Sequence, residues 1–173
     1  ERASRVLNDP RGFGFAARRI TVSTSGLIPG IERFGKIDLQ INLSISVHAA
    51  DDEARSRLMP INRRYPLAAL TEACESYLGA GGRKLTFEYV LLKGVNDRTS
   101  DAERLARLAR RLRAKVNLIA FSPVAGLPFE RPERAAVGDF ARRLKNRGIQ
   151  VTVRNSKGSD IQAACGQLSG TRA

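Results

Sequence analysis

At 173 residues, 42% of them hydrophobic and 27% charged, the chain is long and apolar enough to bury one core, and it reads as a single soluble globular domain, not a disordered tail. Its 30 Lys and Arg against 17 Asp and Glu leave a net charge of +13, spread over RRLRAK, ARRLKNRG, RSRLMPINRRY and AARR, which marks a basic surface and not one basic tail. No run nears the roughly 18 apolar residues of a membrane span, and the opening ERASRVLNDPRG shows neither a leader's apolar stretch nor a cleavage site, so a cytoplasmic protein is expected.

A basic field of this size favours polyanions, nucleic acid first among them, unless it reflects only an arginine-rich composition carried on solvated helix faces. Charge alone does not separate the two. The two cysteines, Cys74 and Cys165, make no disulfide framework, which agrees with a reducing compartment. The chain opens on Glu1 and has one methionine, Met59, so a fragment of something longer is expected.

In chain order, RITVSTS (19–25) and INLSISVHA (41–49) read as strands. A helix follows from Pro66 over 66–79, with Cys74 on its apolar side, and then a strand, KLTFEYVLL (84–92). Residues 99–113 form a helix with Thr99 or Ser100 as its cap and Leu105, Leu108 and Leu112 on one face. KVNLIAFS (115–122) is a strand, residues 132–147 a helix entered at Pro132 and left at Gly148, and IQVTVR (149–154) a last strand. Strands alternating with helices imply βα units and a parallel sheet.

A parallel strand covered on both faces reads as a continuous apolar run, yet INLSISVH alternates. Ile41, Leu43, Ile45 and Val47 share one face, and Asn42, Ser44, Ser46 and His48 the other. Thr21, Ser23 and Ser25 repeat the pattern, as do Thr86 and Glu88. If helices cover the apolar faces, the polar ones converge on a wet interior, so a barrel or partial barrel is expected instead of a doubly wound sheet. The competing arrangement is an antiparallel sheet with one solvated face, against which the long helical connections argue.

His48, the one histidine, stands at the carboxyl end of its strand, where barrel enzymes assemble their sites. A lone histidine is more often structural than catalytic, and with no second His and no clustered Cys it makes no zinc site. Cys165, in SDIQAACGQLSG, is flanked by Ala163, Ala164 and Gly166, which leave its sulfur uncrowded. Asp160 and Gln167 offer polar contacts, and Arg154 and Lys157 a positive field that favours thiolate. The alternatives are a reactive thiol and an inert one.

RRITVSTSG, SISVHAADDEARSRLMPINRRYPL, FEYVLLKGVND, VNLIAFSPVAGLPFERP and VRNSKGSDIQAACGQLSG together resemble, in order from about residue 10 to residue 170, the radical-SAM adenine methyltransferases of 23S rRNA and tRNA. The resemblance implies an α/β fold made of the later βα units of a partial, TIM-like (β/α) barrel, followed by a methyl-carrier cysteine loop. It implies methylation of adenine carbon-2. That carbon lies between two ring nitrogens and is no nucleophile, so a cysteine at the position of Cys165 first takes the methyl group, and a deoxyadenosyl radical then activates it. The base must leave its stack to be reached. S-adenosylmethionine is expected to contact Ser23, Ser46, Val47, His48 and Ser122, the last standing where the family has asparagine.

The C-x-x-x-C-x-x-C loop that holds the family's 4Fe-4S cluster is absent, as is its GEP strand end. The resemblance places both before residue 1, so residues 1–173 are expected to be the carboxyl-terminal part of a radical-SAM core, without metal ligands and inactive alone. A monomer with 23S rRNA and tRNA as partners and no membrane is expected. The alternatives are a carbon-8 methyltransferase of the same family, a non-catalytic RNA-binding remnant, and an unrelated barrel enzyme with Cys165 as an ordinary nucleophile.

Overall fold

Which face of each strand meets the helices follows from the alternation, and the computed structural model, which describes residues 2–124 and 126–154, bears this out. The five predicted strands form, each shorter than its sequence span: β1 (Thr21–Thr24), β2 (Asn42–Ser46), β3 (Leu85–Leu91), β4 (Lys115–Ala120) and β5 (Val151–Arg154). Among the described residues six helices accompany them: α1 (Arg2–Asn8), α2 (Ile28–Gly35), α3 (Asp52–Leu58), α4 (Leu67–Gly79), α5 (Thr99–Arg111) and α6 (Arg134–Asn146). Short 3-10 turns occupy Ala17–Arg19 and Pro60–Arg63.

The strands lie in sequence order and every neighbouring pair is parallel, which overturns the antiparallel arrangement. Parallel crossovers are right-handed almost without exception, so a chain that steps always in one direction lays its helices on one face. A doubly wound sheet reverses direction and covers both. The order seen here is that of a barrel wall, an α/β fold with one face left to the interior.

The covered face carries Leu43, Ile45, Leu85, Phe87, Tyr89, Val116 and Leu118 against Leu70 and Tyr77 of α4, Leu105 and Ala109 of α5, and Phe140 and Leu144 of α6. Tyr89 and Phe140 stack with ring centroids 5.6 Å apart. Burying each large apolar side chain of this set contributes about 1.5–3 kcal/mol. Cys74 is buried in the same cluster, and burial, reinforced by the neighbouring Glu75 carboxylate, pushes its thiol up to about 12. It is an inert packing residue.

Helix boundaries differ from the sequence expectation where local chemistry wins. The cap of α5 is Arg98, whose backbone N–H donates to Asp101 Oδ2 at 3.0 Å, so neither Thr99 nor Ser100 serves. Helix α6 starts two residues past Pro132, with Glu133 at its cap. Helix α4 does begin directly after Pro66. Among the described residues no helix is long and apolar enough to cross a membrane.

Candidate functional site

The face left bare by the helices is polar along the middle of the sheet. Register aligns Ser23, Ser44, Thr86 and Lys115 in one row and Ser46, Glu88, Asn117 and Thr152 in the next. Glu88 joins three strands: Ser44 Oγ donates to its Oε1 at 2.9 Å, and Asn117 Nδ2 to its Oε2 at 2.7 Å. Asn117 Oδ1 is buried with no partner, an acceptor held in place by the carboxylate that occupies its amide nitrogen. Ser122, just past β4, is 5% exposed, and its Oγ is likewise buried without a partner.

At the carboxyl ends of β1 and β2 the chain turns around a buried cation. Arg55 of α3 is 0% exposed although it sits in one of the basic runs that the sequence assigns to the surface, a correction for that residue. Its Nη2 donates to Ser25 O at 2.9 Å and Ser46 O at 3.2 Å, its Nε to Val47 O at 3.2 Å, and its Nη1 to Asn62 Oδ1 at 2.7 Å. A rigid fork of donors facing a row of carbonyls is how a guanidinium is kept charged without water. Asn62 is fixed in turn by donating to Asp52 Oδ1 and Ser56 Oγ, both at 2.9 Å. The close approach explains the glycine of STSG: Gly26 has φ +105, and a Cβ there would lie 3.0 Å from Arg55 Nη2.

Strand β2 ends at Ser46, so His48 stands in the turn beyond it and not on the strand. Its φ is 55, in the left-handed region, and the Ala49 N–H donates to Val47 O at 2.7 Å across it. That is a three-residue γ-turn with positive central φ, the rare and strained kind. Asn96 fastens it to the end of β3: Nδ2 donates to His48 O at 2.7 Å and to Val90 O at 2.8 Å, while Oδ1 accepts from Leu92 N at 2.7 Å. The imidazole Nδ1 accepts from the Val90 N–H at 3.1 Å, which leaves the ring proton of the neutral form on Nε2.

Burial first, and the Arg55 charge second, lower the His48 pKa from 6.5 to about 4, against a smaller opposing effect of the Glu88 carbonyl. The folded state therefore favours the uncharged ring. Its contribution to stability is complete above the unfolded value, shrinks as pH falls from 6.5 towards 4, and levels off below that. The whole effect is about 3 kcal/mol. Urea unfolding between about pH 7 and about pH 4.5 should show that loss in the wild type and a smaller one in His48→Gln.

The predicted site residues that are described lie at or near the carboxyl ends of β1, β2 and β4. Ser23 is exposed on the open face of β1, Ser46 is half-buried at the end of β2, and Ser122 follows β4. Val47 is 0% exposed with its side chain in the helix-side core, so only its backbone can face a ligand. Cys165 lies outside the described residues, as do Lys157, Asp160 and Gln167. Sequence reading did not single out Arg55, Asn62, Asn96 or the Glu88–Asn117 pair as parts of a site.

Known proteins resemble this chain in sequence and in fold. No protein-family model matches the chain. It is 53% identical over 180 residues to the probable dual-specificity RNA methyltransferase RlmN of Roseiflexus sp. (strain RS-1), covering 99% of this chain and 45% of that protein. It is 48% identical over 169 residues to the dual-specificity RNA methyltransferase RlmN of Geobacter sulfurreducens, covering 98% and 47%. A radical SAM methyltransferase from Sphaerobacter thermophilus superposes with a TM-score of 0.91 at 51% identity, over 96% of this chain and 49% of that one. The chain belongs to the RlmN family. It spans about half the length of the curated relatives it matches. A domain of a pyruvate-formate lyase-activating enzyme from Bacteroides vulgatus, 14% identical with a TM-score of 0.61, shares the fold alone.

Radical-SAM members of the family imply S-adenosylmethionine and an iron-sulfur cluster. The described residues do not fit the cluster: they contain no group of three or more His, Cys, Asp or Glu placed to hold a metal, and their cysteine is the buried, protonated Cys74. They do fit the nucleoside. Two buried acceptor-capable oxygens without partners, Asn117 Oδ1 and Ser122 Oγ, and a neutral imidazole on a turn tied down by Arg55 and Asn96 stand on the polar side and rim of the RlmN-family sheet.

Proposed function

We propose that this chain is the carboxyl-terminal part of the radical-SAM core of a cytoplasmic, monomeric RNA methyltransferase that methylates carbon-2 of adenine in 23S rRNA and tRNA. S-adenosylmethionine is bound along the rim by Ser23, Ser46, the backbone of Val47, His48 and Ser122. The observation that carries the reading is the match itself, 53% identity over 99% of the chain to a protein of that name. The rim fits it physically. His48 presents an uncharged Nε2–H, and a neutral donor does not repel a sulfonium cation as an imidazolium does. Arg55 is turned inward onto carbonyls, so its charge is spent inside the protein.

Cys165 is the methyl acceptor in this reading: its thiolate forms a bond to the methyl carbon as the carbon–sulfonium bond breaks, and S-adenosylhomocysteine leaves with the bonding pair. The iron-sulfur cluster supplies the radical chemistry when bound, from residues other than those described. The +13 surface supplies the attraction for RNA. The test is methylation of rRNA and tRNA fragments by the protein at its full natural length, with nucleoside analysis. Formation of 2-methyladenosine is expected; 8-methyladenosine, or salt-dependent RNA retention with no methylation, contradicts the reading.

A further inference from the structure

Three consecutive backbone carbonyls at the end of β2 are each taken by a side chain from elsewhere in the fold. Ser46 O and Val47 O accept from the Arg55 guanidinium at 3.2 Å each, and His48 O accepts from Asn96 Nδ2 at 2.7 Å. Between them lies the turn that no L-residue adopts willingly, with His48 at φ 55 and the Ala49 N–H bonded to Val47 O. Both holding side chains are buried, Arg55 at 0% and Asn96 at 1% exposure. Both are also locked themselves. Asn62 fixes Arg55 Nη1, and Leu92 N together with Val90 O fixes the orientation of the Asn96 amide. Tyr89 OH donates to Asn96 O at 2.8 Å and closes the loop.

We propose that Arg55 and Asn96 are positioning residues for the cosubstrate: they hold Ser46 and the strained Val47–His48–Ala49 γ-turn in a shape that already suits S-adenosylmethionine before it arrives. This rests on the functional reading above, which puts the nucleoside on that turn. A strained turn persists only when its surroundings over-determine it, and here clamps act from two sides, one from α3 and one from the segment after β3. The clamps join the carboxyl ends of β1, β2 and β3 through side-chain bonds to Ser25 O, Ser46 O and Val90 O, so the rim is set by the fold and not by the ligand. Pre-organisation of this kind raises affinity by removing an ordering cost at the moment of binding.

The test is equilibrium dialysis of radiolabelled S-adenosylmethionine with the protein at its full natural length, alongside thermal unfolding. The variants are N96A, R55K, H48G and H48G/N96A. In the wild-type background N96A is expected to weaken binding about tenfold, the factor carried by one hydrogen bond's worth of free energy. In the H48G background, where glycine reaches positive φ unaided, the effect of N96A is expected to shrink to roughly threefold or less. A lowered Tm with unchanged affinity, or an equal N96A effect in both backgrounds, overturns the proposal and leaves the functional reading standing. Wild-type protein that does not bind S-adenosylmethionine overturns the reading itself. Should N96A not fold, R55K decides: its single ammonium cannot span both Ser46 O and Val47 O as well as Ser25 O, so an affinity loss of about tenfold supports the proposal and wild-type affinity sinks it.

Discussion

Replacing Arg55 with methionine is expected to destabilise the protein by about 3–5 kcal/mol, enough to remove a large part of a typical domain's stability. Methionine fills much of the arginine stem's volume, so the loss is not mainly one of packing. It comes from the acceptors left behind. Asn62 Oδ1 loses a donor in a buried setting, Ser25 O and Ser46 O lose one in a partly buried setting, and Val47 O keeps only the Ala49 N–H. Each buried polar group without a partner costs about 1–3 kcal/mol, and the values do not add fully because all four share one guanidinium. Urea denaturation measures the difference directly. A loss under about 1 kcal/mol would mean that water replaces the guanidinium and that the clamp is ornamental.

The second large effect concerns the chemistry. Cys165→Ala in the protein at its full natural length is expected to lower RNA methylation by on the order of a thousandfold or more while leaving S-adenosylmethionine affinity and Tm unchanged. Adenine carbon-2 has no lone pair with which to displace a methyl group from a sulfonium, so a route without a carrier lacks its first step. The proposed reading assigns binding to the rim residues and not to the carrier, which is why the two readouts should part. Methylation retained in this variant would falsify the assigned role of Cys165.

How much of this was legible in the sequence depended on whether a residue's partners were local. The alternation in INLSISVH is a property of one strand, and it correctly announced a bare polar face and a sheet of the barrel kind. The inert setting of Cys74 followed from an amphipathic helix in the same way. Arg55 shows the opposite case. DDEARSRL looks like any solvated charged helix, and what buries Arg55 is a set of carbonyls from Ser25, Ser46 and Val47, none of which carries a side-chain signal. Helix α3 itself has readable punctuation, with Asp51 Oδ1 accepting from Ala54 N at 2.8 Å, but its seven residues are too few for a periodic pattern. Helix α2 has no side-chain cap to announce it. Asn96 sits in a GVND turn where the sequence shows only a loop, and its reach to His48 crosses 48 positions. The left-handed φ of His48 leaves no trace in composition at all.

The account turns on a methyl group passing through Cys165, and the most direct measurement is the mass of the Cys165-containing peptide from the protein produced in cells at its full natural length. The account predicts that a fraction of this peptide carries one additional methyl on the sulfur, and that this fraction falls when S-adenosylmethionine binding is weakened by N96A. An unmodified thiol throughout, in protein that methylates RNA, would contradict it.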